Sequence, residues 1–182
     1  EKGSPVVNGI SFAIDQNPPT IVEFQYATST TENGTYTDYA DLNFNTVLGG
    51  SLYPYAKFRV KAEDSVLDTP DLRVSMTMLD NTPVVMTYNK AGETEGYFYT
   101  NPIRLNVAVS SQYYAVASAA DNSGNPSTRT INVIIDNTAP ETISDMNISS
   151  SDEVTGSISL SGMASDDNKA NSGIKEIFVY VP

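Results

Sequence analysis

"YYAVASAADNSGNPSTRTINVIIDNTAPETI", residues 113–143, contains two alternating runs with a turn between them and a stop after them. Tyr113, Ala115, Ala117 and Ala119 share one face of a first strand, since side chains alternate across a strand with a period of two. Ile131, Val133 and Ile135 do the same in a second strand. Between them, Asp121 is placed to accept hydrogen bonds from the N–H groups of its own turn. Gly124 supplies a left-handed backbone position without a steric cost. Asp136-Asn137 and Pro140 then end the second strand, because proline cannot donate to a sheet ladder.

The same rhythm extends in both directions. Phe58, Val60 and Ala62 alternate with Lys57, Arg59 and Lys61, and Leu72, Val74, Met76 and Met78 alternate with Arg73, Ser75 and Thr77. Ile103, Leu105, Val107 and Val109 repeat it, as do Ile177, Val179 and Val181. No stretch keeps helical spacing for ~11 residues, and Ser, Thr, Asn, Gly and Pro break the chain about every 8–12 positions. The pattern predicts an all-β chain. Its core should include Phe58, Val60, Val74, Met76, Leu105, Val107, Tyr113, Val133 and Ile135.

The chain also repeats itself. "ISFAIDQNPPTI" (10–21) lies over "INVIIDNTAPETI" (131–143), with Ile10, Phe12, Ile14, Asp15 and Pro19 each matched 121 residues later. "TIVEFQYATST" (20–30) parallels "TISDMNISSSD" (142–152), and "FRVKAED" (58–64) parallels the stretch ending in "ASDD" (164–167). The second copy reaches that acidic segment sooner. Residues 31–50, with an Asn33-Gly34 hairpin signal, therefore read as an insertion in the first copy.

Tyrosine, alternating small or β-branched residues, Ala-x-Asp-x-x-Gly-Asn, a β run and then Asp-x-x-x-Pro is a recurring closing pattern. On these residues the chain resembles the immunoglobulin-like repeats found in tandem on bacterial and archaeal cell-surface and secreted proteins. "ASDDNKANSGIKEIFVYV" (164–181) looks like the start of another such repeat. The resemblance implies immunoglobulin-like β-sandwich repeats, one complete and flanked by partial ones. Residues 1–16 would hold the terminal strand of an upstream repeat and 17–138 a complete sandwich. Residues 139–182 would hold about three strands of the next.

In such a sandwich the loop after the second strand and the last hairpin turn sit where the chain enters the domain. The resemblance thus places Asp15, Glu63, Asp64, Asp68 and Asp121 near one junction, and Asp136, Asp166 and Asp167 near the next. Clustered carboxylates suit Ca²⁺, which takes six to eight oxygens, roughly. Asp and Asn are equally the residues that form turns on an acidic chain. Spacing alone leaves both readings open.

Composition excludes several functions. There is no Cys and no His among the 182 residues, which removes disulfides, thiol nucleophiles, Cys/His zinc sites and histidine bases. Carboxylate pairs such as Asp152/Glu153 and Asp166/Asp167 are the only glycosidase-like feature, and neighbours on a strand point to opposite faces. A net charge of −12 disfavours nucleic acid and anionic membranes, and no apolar run approaches the ~20 residues of a membrane span. Tyr36, Tyr39, Tyr53, Tyr55, Tyr88, Tyr97 and Tyr99 fall in or near stretches outside the family pattern.

The expectation is a non-catalytic extracellular spacer of a cell-surface adhesin, S-layer-like or filament protein. Short Pro-containing linkers would stack it into a stiff rod. Its partners would be neighbouring repeats, of the same chain or of adjacent chains by strand addition of residues 7–14. The competing expectation is a glycan- or protein-binding accessory module using Tyr36, Tyr39 and Tyr97, since aromatic faces stack on sugars and anchor interfaces.

Overall fold

The computed structural model describes residues 15–50, 52–65, 71–79, 82–88, 96–107, 111–141, 143–147, 156, 159–166, 174 and 176–178. Alternation of apolar and polar residues builds the long strands. These are β1 (Thr20–Ser29), β4 (Tyr55–Glu63), β10 (Ser111–Ala120) and β11 (Pro126–Ile135). Shorter strands fill the space between them: β2 (Ala40–Asp41), β3 (Thr46–Leu48), β5 (Arg73–Thr77), β6 (Pro83–Val85), β7 (Thr87–Tyr88), β8 (Tyr97–Tyr99) and β9 (Ile103–Arg104).

Two sheets result. One has the order β2-β1-β4-β8-β7, with β9 also on β4, and the other the order β3-β11-β10-β5-β6. All pairings are antiparallel except β3 with β11, which runs parallel from Thr46 opposite Val133 to Leu48 opposite Ile135. The inner faces share a single core. Phe24, Phe58, Val60 and Phe98 come from the first sheet, and Val74, Met76, Ala117, Val133 and Ile135 from the second. Phe24 and Phe58 meet edge to face at 6.2 Å. Each fully buried side chain of this size contributes about 1.5–3 kcal/mol by leaving water. All nine expected core residues lie in or against this core, with Val107 and Tyr113 half-buried at its margin. The chain is all-β with two packed sheets, a sandwich-like arrangement.

Residues 31–50 join the two sheets. A turn closes between Thr31 and Gly34 (3.2 Å), the chain returns as β2 beside β1, and it then crosses to the second sheet as β3. Leu42 and Leu48 enter the core on either side of the crossing. Asn45 (φ 62°) and Gly49 (φ 91°) bracket β3 in the left-handed region. The alternation over 103–109 gives less than its rhythm suggests. After Arg104 the chain leaves the sheet, Leu105 N–H donates to Pro54 C=O (2.8 Å), and Val109 lies outside the described residues.

Beyond β11, Glu141 N–H donates to Ser165 C=O, Ser144 pairs antiparallel with Met163, and Asn147 N–H donates to Ser161 C=O. This is the sense of the β1–β4 pairing, in which Glu23 faces Lys61 and Gln25 faces Arg59. β1 carries a bulge between Ile21 and Glu23. The candidate strand at Ile177, Val179 and Val181 falls partly outside the described residues, as does the one at 10–14.

Candidate functional site

Three segments meet at one end of the sandwich: the linker before β1, the residue after β4 and the β10–β11 turn. Antiparallel pairing puts Thr20, at the start of β1, opposite Glu63, at the end of β4. Asp15, Asp64 and Asp121 each bring a carboxylate oxygen to within 4.8 Å of the others. Asp121 is fully buried. Its Oδ1 accepts from the Asn125 backbone N–H (2.8 Å) and its Oδ2 from the Asn125 side-chain amide (2.7 Å). Burial pushes the Asp121 carboxyl up. The side-chain amide of Asn125 and the backbone N–H groups of Asn125, Gly124 and Ser123 outweigh it and hold the group below its ordinary value. Gly124 has φ 89°, the left-handed position the turn requires.

Asn125 does a second job. Its amide also donates to the Asp15 backbone C=O (3.1 Å), clasping the linker onto the turn. Asp15 Oδ1 accepts from Asn17 N–H (3.0 Å), while its Oδ2 is shielded from solvent and has no hydrogen-bond partner. Oxygens around one ion at about 2.4 Å lie no more than about 4.8 Å apart, and the three carboxylates fall within that limit. Water and backbone carbonyls would complete its coordination.

Of the eight acidic residues singled out in the sequence, the fold gathers these three. Glu63 turns away into an exposed ion pair with Lys61 (3.1 Å). Asp68 and Asp167 lie outside the described residues, and so do Asp152 and Glu153. Asp136 is buried after β11, where its Oδ1 accepts from Thr138 N–H (2.9 Å). Asp166 is half-buried, and neither it nor Asp136 belongs to a cluster of three among the described residues. The sequence reading did not single out Asn125. The Gly-Asn pair after Asp121 was its only signal.

A second constellation covers the outer face of the first sheet. Arg59 lies between the rings of Tyr39 and Tyr97, 4.2 Å from each centroid, and its Nε donates to Gln25 Oε1 (2.7 Å). Lys57 sits 4.4 Å over the Tyr36 ring. Tyr39 meets Tyr99 edge to face at 6.0 Å. Tyr97 is buried, and its hydroxyl donates to Glu23 Oε2 (2.5 Å). Burial first, then the hydrogen bond and charge of Glu23, push the Tyr97 phenol up to about 12 against the opposing pull of Arg59. The Tyr36 hydroxyl donates to Glu32 C=O (2.9 Å), and burial followed by the Glu32 charge raises its phenol too. Tyr36, Tyr39 and Tyr97 thus share one face, Tyr36 and Tyr39 from the loop before β2 and Tyr97 from β8. The cations among them were legible as the polar half of the β4 alternation.

No protein-family model and no curated protein matches the chain. Among the described residues no helix is long and apolar enough to cross a membrane.

Proposed function

We propose that the chain is a non-catalytic, immunoglobulin-like spacer repeat of a cell-surface or secreted protein, with its linkers held rigid against the sandwich and Ca²⁺ bound at the junction. The observation that carries the reading is the meeting of linker residue Asp15 with Asp64 and Asp121, under the clasp of Asn125. A flexible tether would not be built into the end of its domain. The strand order agrees with an immunoglobulin-like sandwich. β1, β4, β8 and β7 stand as the A, B, E and D strands, and β5, β10 and β11 as C, F and G, with β3 parallel to the last.

Repetition is supported by two local structures. Asp15 and Asp136, 121 residues apart, each accept a hydrogen bond from the N–H two residues on, and each precedes an antiparallel pairing, the β1–β4 ladder after Asp15 and the single Ser144–Met163 bridge after Asp136. Asn137 ties the outgoing linker down as well, donating to Leu105 C=O (2.8 Å) and accepting from Gly50 N–H (2.7 Å).

Thermal melting in Ca²⁺ and in EDTA tests the junction. A ligand that binds only the folded state stabilises it by mass action, about 2.7 kcal/mol at a hundredfold excess over Kd. The melting midpoint should rise in Ca²⁺, and Asp64→Asn should remove the rise. Coincident curves in Ca²⁺ and EDTA would reduce the three aspartates to turn formers.

A further inference from the structure

The outer face of the first sheet ends in a cleft of about 310 Å³ lined by Tyr39, Lys57, Tyr88, Tyr99, Thr100 and Asn101, with Thr87 at its rim. Its volume lies near the lower end of the ~300–1,000 Å³ usual for ligand sites, room for a single ring with its substituents. Tyr39 and Tyr99 reach it from the outer face of the sheet, whereas Tyr88 borders it from the other side, its ring packed towards the core. Tyr88 is fixed by its 5.2 Å ring contact with Phe98 and by accepting from Gly96 N–H (3.3 Å), and Tyr99 by Tyr39 and Tyr97. Thr100 is committed to the sheet, its Oγ1 accepting from Phe58 N–H (3.0 Å). Lys57, Thr87, Tyr88 and Tyr99 of the lining stand on strands β4, β7 and β8.

Its charge is opposite to that of the molecule. The chain carries −12 overall, yet two of its ten cations, Lys57 and Arg59, stand side by side on this face. Arg59 is held between two rings and by Gln25, and serves as a fixed positive centre. Lys57 lines the cleft. Its ammonium meets only the face of Tyr36 and makes no ion pair among the described residues, so its N–H donors remain available to a ligand. The exposed Asn101 amide offers a donor and an acceptor beside it.

Aromatic walls with hydroxyl and amide edges suit a sugar ring, and an unneutralised ammonium in the same wall selects an acidic one. We propose that this cleft binds an anionic sugar, with Tyr99 and Tyr39 against the ring and Lys57 and Asn101 on its carboxylate or sulfate. The site is independent of the spacer reading and of the Asp15 junction at the end of the sandwich. Tyr39 and Arg59 position Tyr99 and the field. Tyr97, whose ring and hydroxyl are both occupied, acts through Arg59.

Ligand-observed NMR titration of the whole chain tests this. The probes are an oligoglucuronate, a sulfated oligosaccharide, sialyllactose and, as the uncharged control, lactose. At least one acidic probe should bind about ten- to a hundredfold more tightly than lactose, the weight of one charge-assisted contact. Which of them binds separates carboxylate from sulfate recognition. Lys57→Gln should abolish that preference while leaving the melting midpoint within error. Should Lys57→Gln unfold the chain, Asn101→Ala, at an exposed position, reads the same loss. Equal binding of lactose and all acidic probes, absence of binding by every acidic probe, or full binding by a folded Lys57→Gln protein would overturn the proposal.

Discussion

Asp121 shows how one side chain can serve both fold and site. Its carboxylate takes both hydrogen bonds from Asn125 while facing Asp15 and Asp64. Asp121→Ala removes the acceptor for the part-buried backbone and side-chain N–H groups of Asn125, and charged hydrogen bonds are worth about 1.5–3 kcal/mol each. The variant should lose about 2–4 kcal/mol in urea denaturation performed in EDTA. Tyr97 governs the other face. Its folded phenol titrates near 12 rather than 10.0, so the fold favours the neutral form. That contribution is complete below the unfolded value and fades as pH rises through the folded one. The stability difference between wild type and Tyr97→Phe should be constant up to about pH 10 and then shift against wild type towards pH 12. A difference that does not change across that window would mean Tyr97 is not shielded as described.

At the scale of elements, strands with sustained alternation were legible, β5 among them, whereas β1, long but less regular in its pattern, and the shortest strands were not. β4, β5, β10 and β11 announce themselves by alternation because each has five or more residues with one face in the core. β3, with three residues, has no period to detect, and its place beside β11 depends on tertiary packing of Leu48. That is why residues 31–50 read as an insertion although they connect the sheets. Glycine at position 49 marks the crossing. A Cβ there would meet Asn137 Oδ1 at 2.8 Å and Asp136 C=O at 3.2 Å, with φ at 91°. Gly49→Ala should cost about 1–3 kcal/mol and speed hydrogen exchange of the β3 amides, whereas unchanged exchange would place the strain elsewhere. The site divided in the same way. The resemblance implied that Asp15, Glu63, Asp64, Asp68 and Asp121 meet at one junction, and the fold brings the carboxylates of Asp15, Asp64 and Asp121 within reach. The departure of Glu63 depended on strand parity, since β4 points it to the exposed face beside Lys61.

For the whole molecule, the account rests on repetition. The chain has no cysteine, so a disulfide can report the Ser144–Met163 pairing without interference. Ser144 and Met163 face each other as a hydrogen-bonded antiparallel pair, for which Cα atoms lie about 5.5 Å apart, within disulfide range. Ser144→Cys with Met163→Cys should oxidise readily within one chain, and failure to close would deny that pairing. The central claim is that the linkers make successive sandwiches stiff. It is tested most directly by small-angle X-ray scattering of two and four copies of residues 15–135 joined in tandem, in Ca²⁺, so that each join places Asp15 after Ile135 where Asp136 stands. A stiff stack requires the longest dimension to grow in proportion to copy number. Growth close to the square root of copy number, as for beads on flexible tethers, would contradict it.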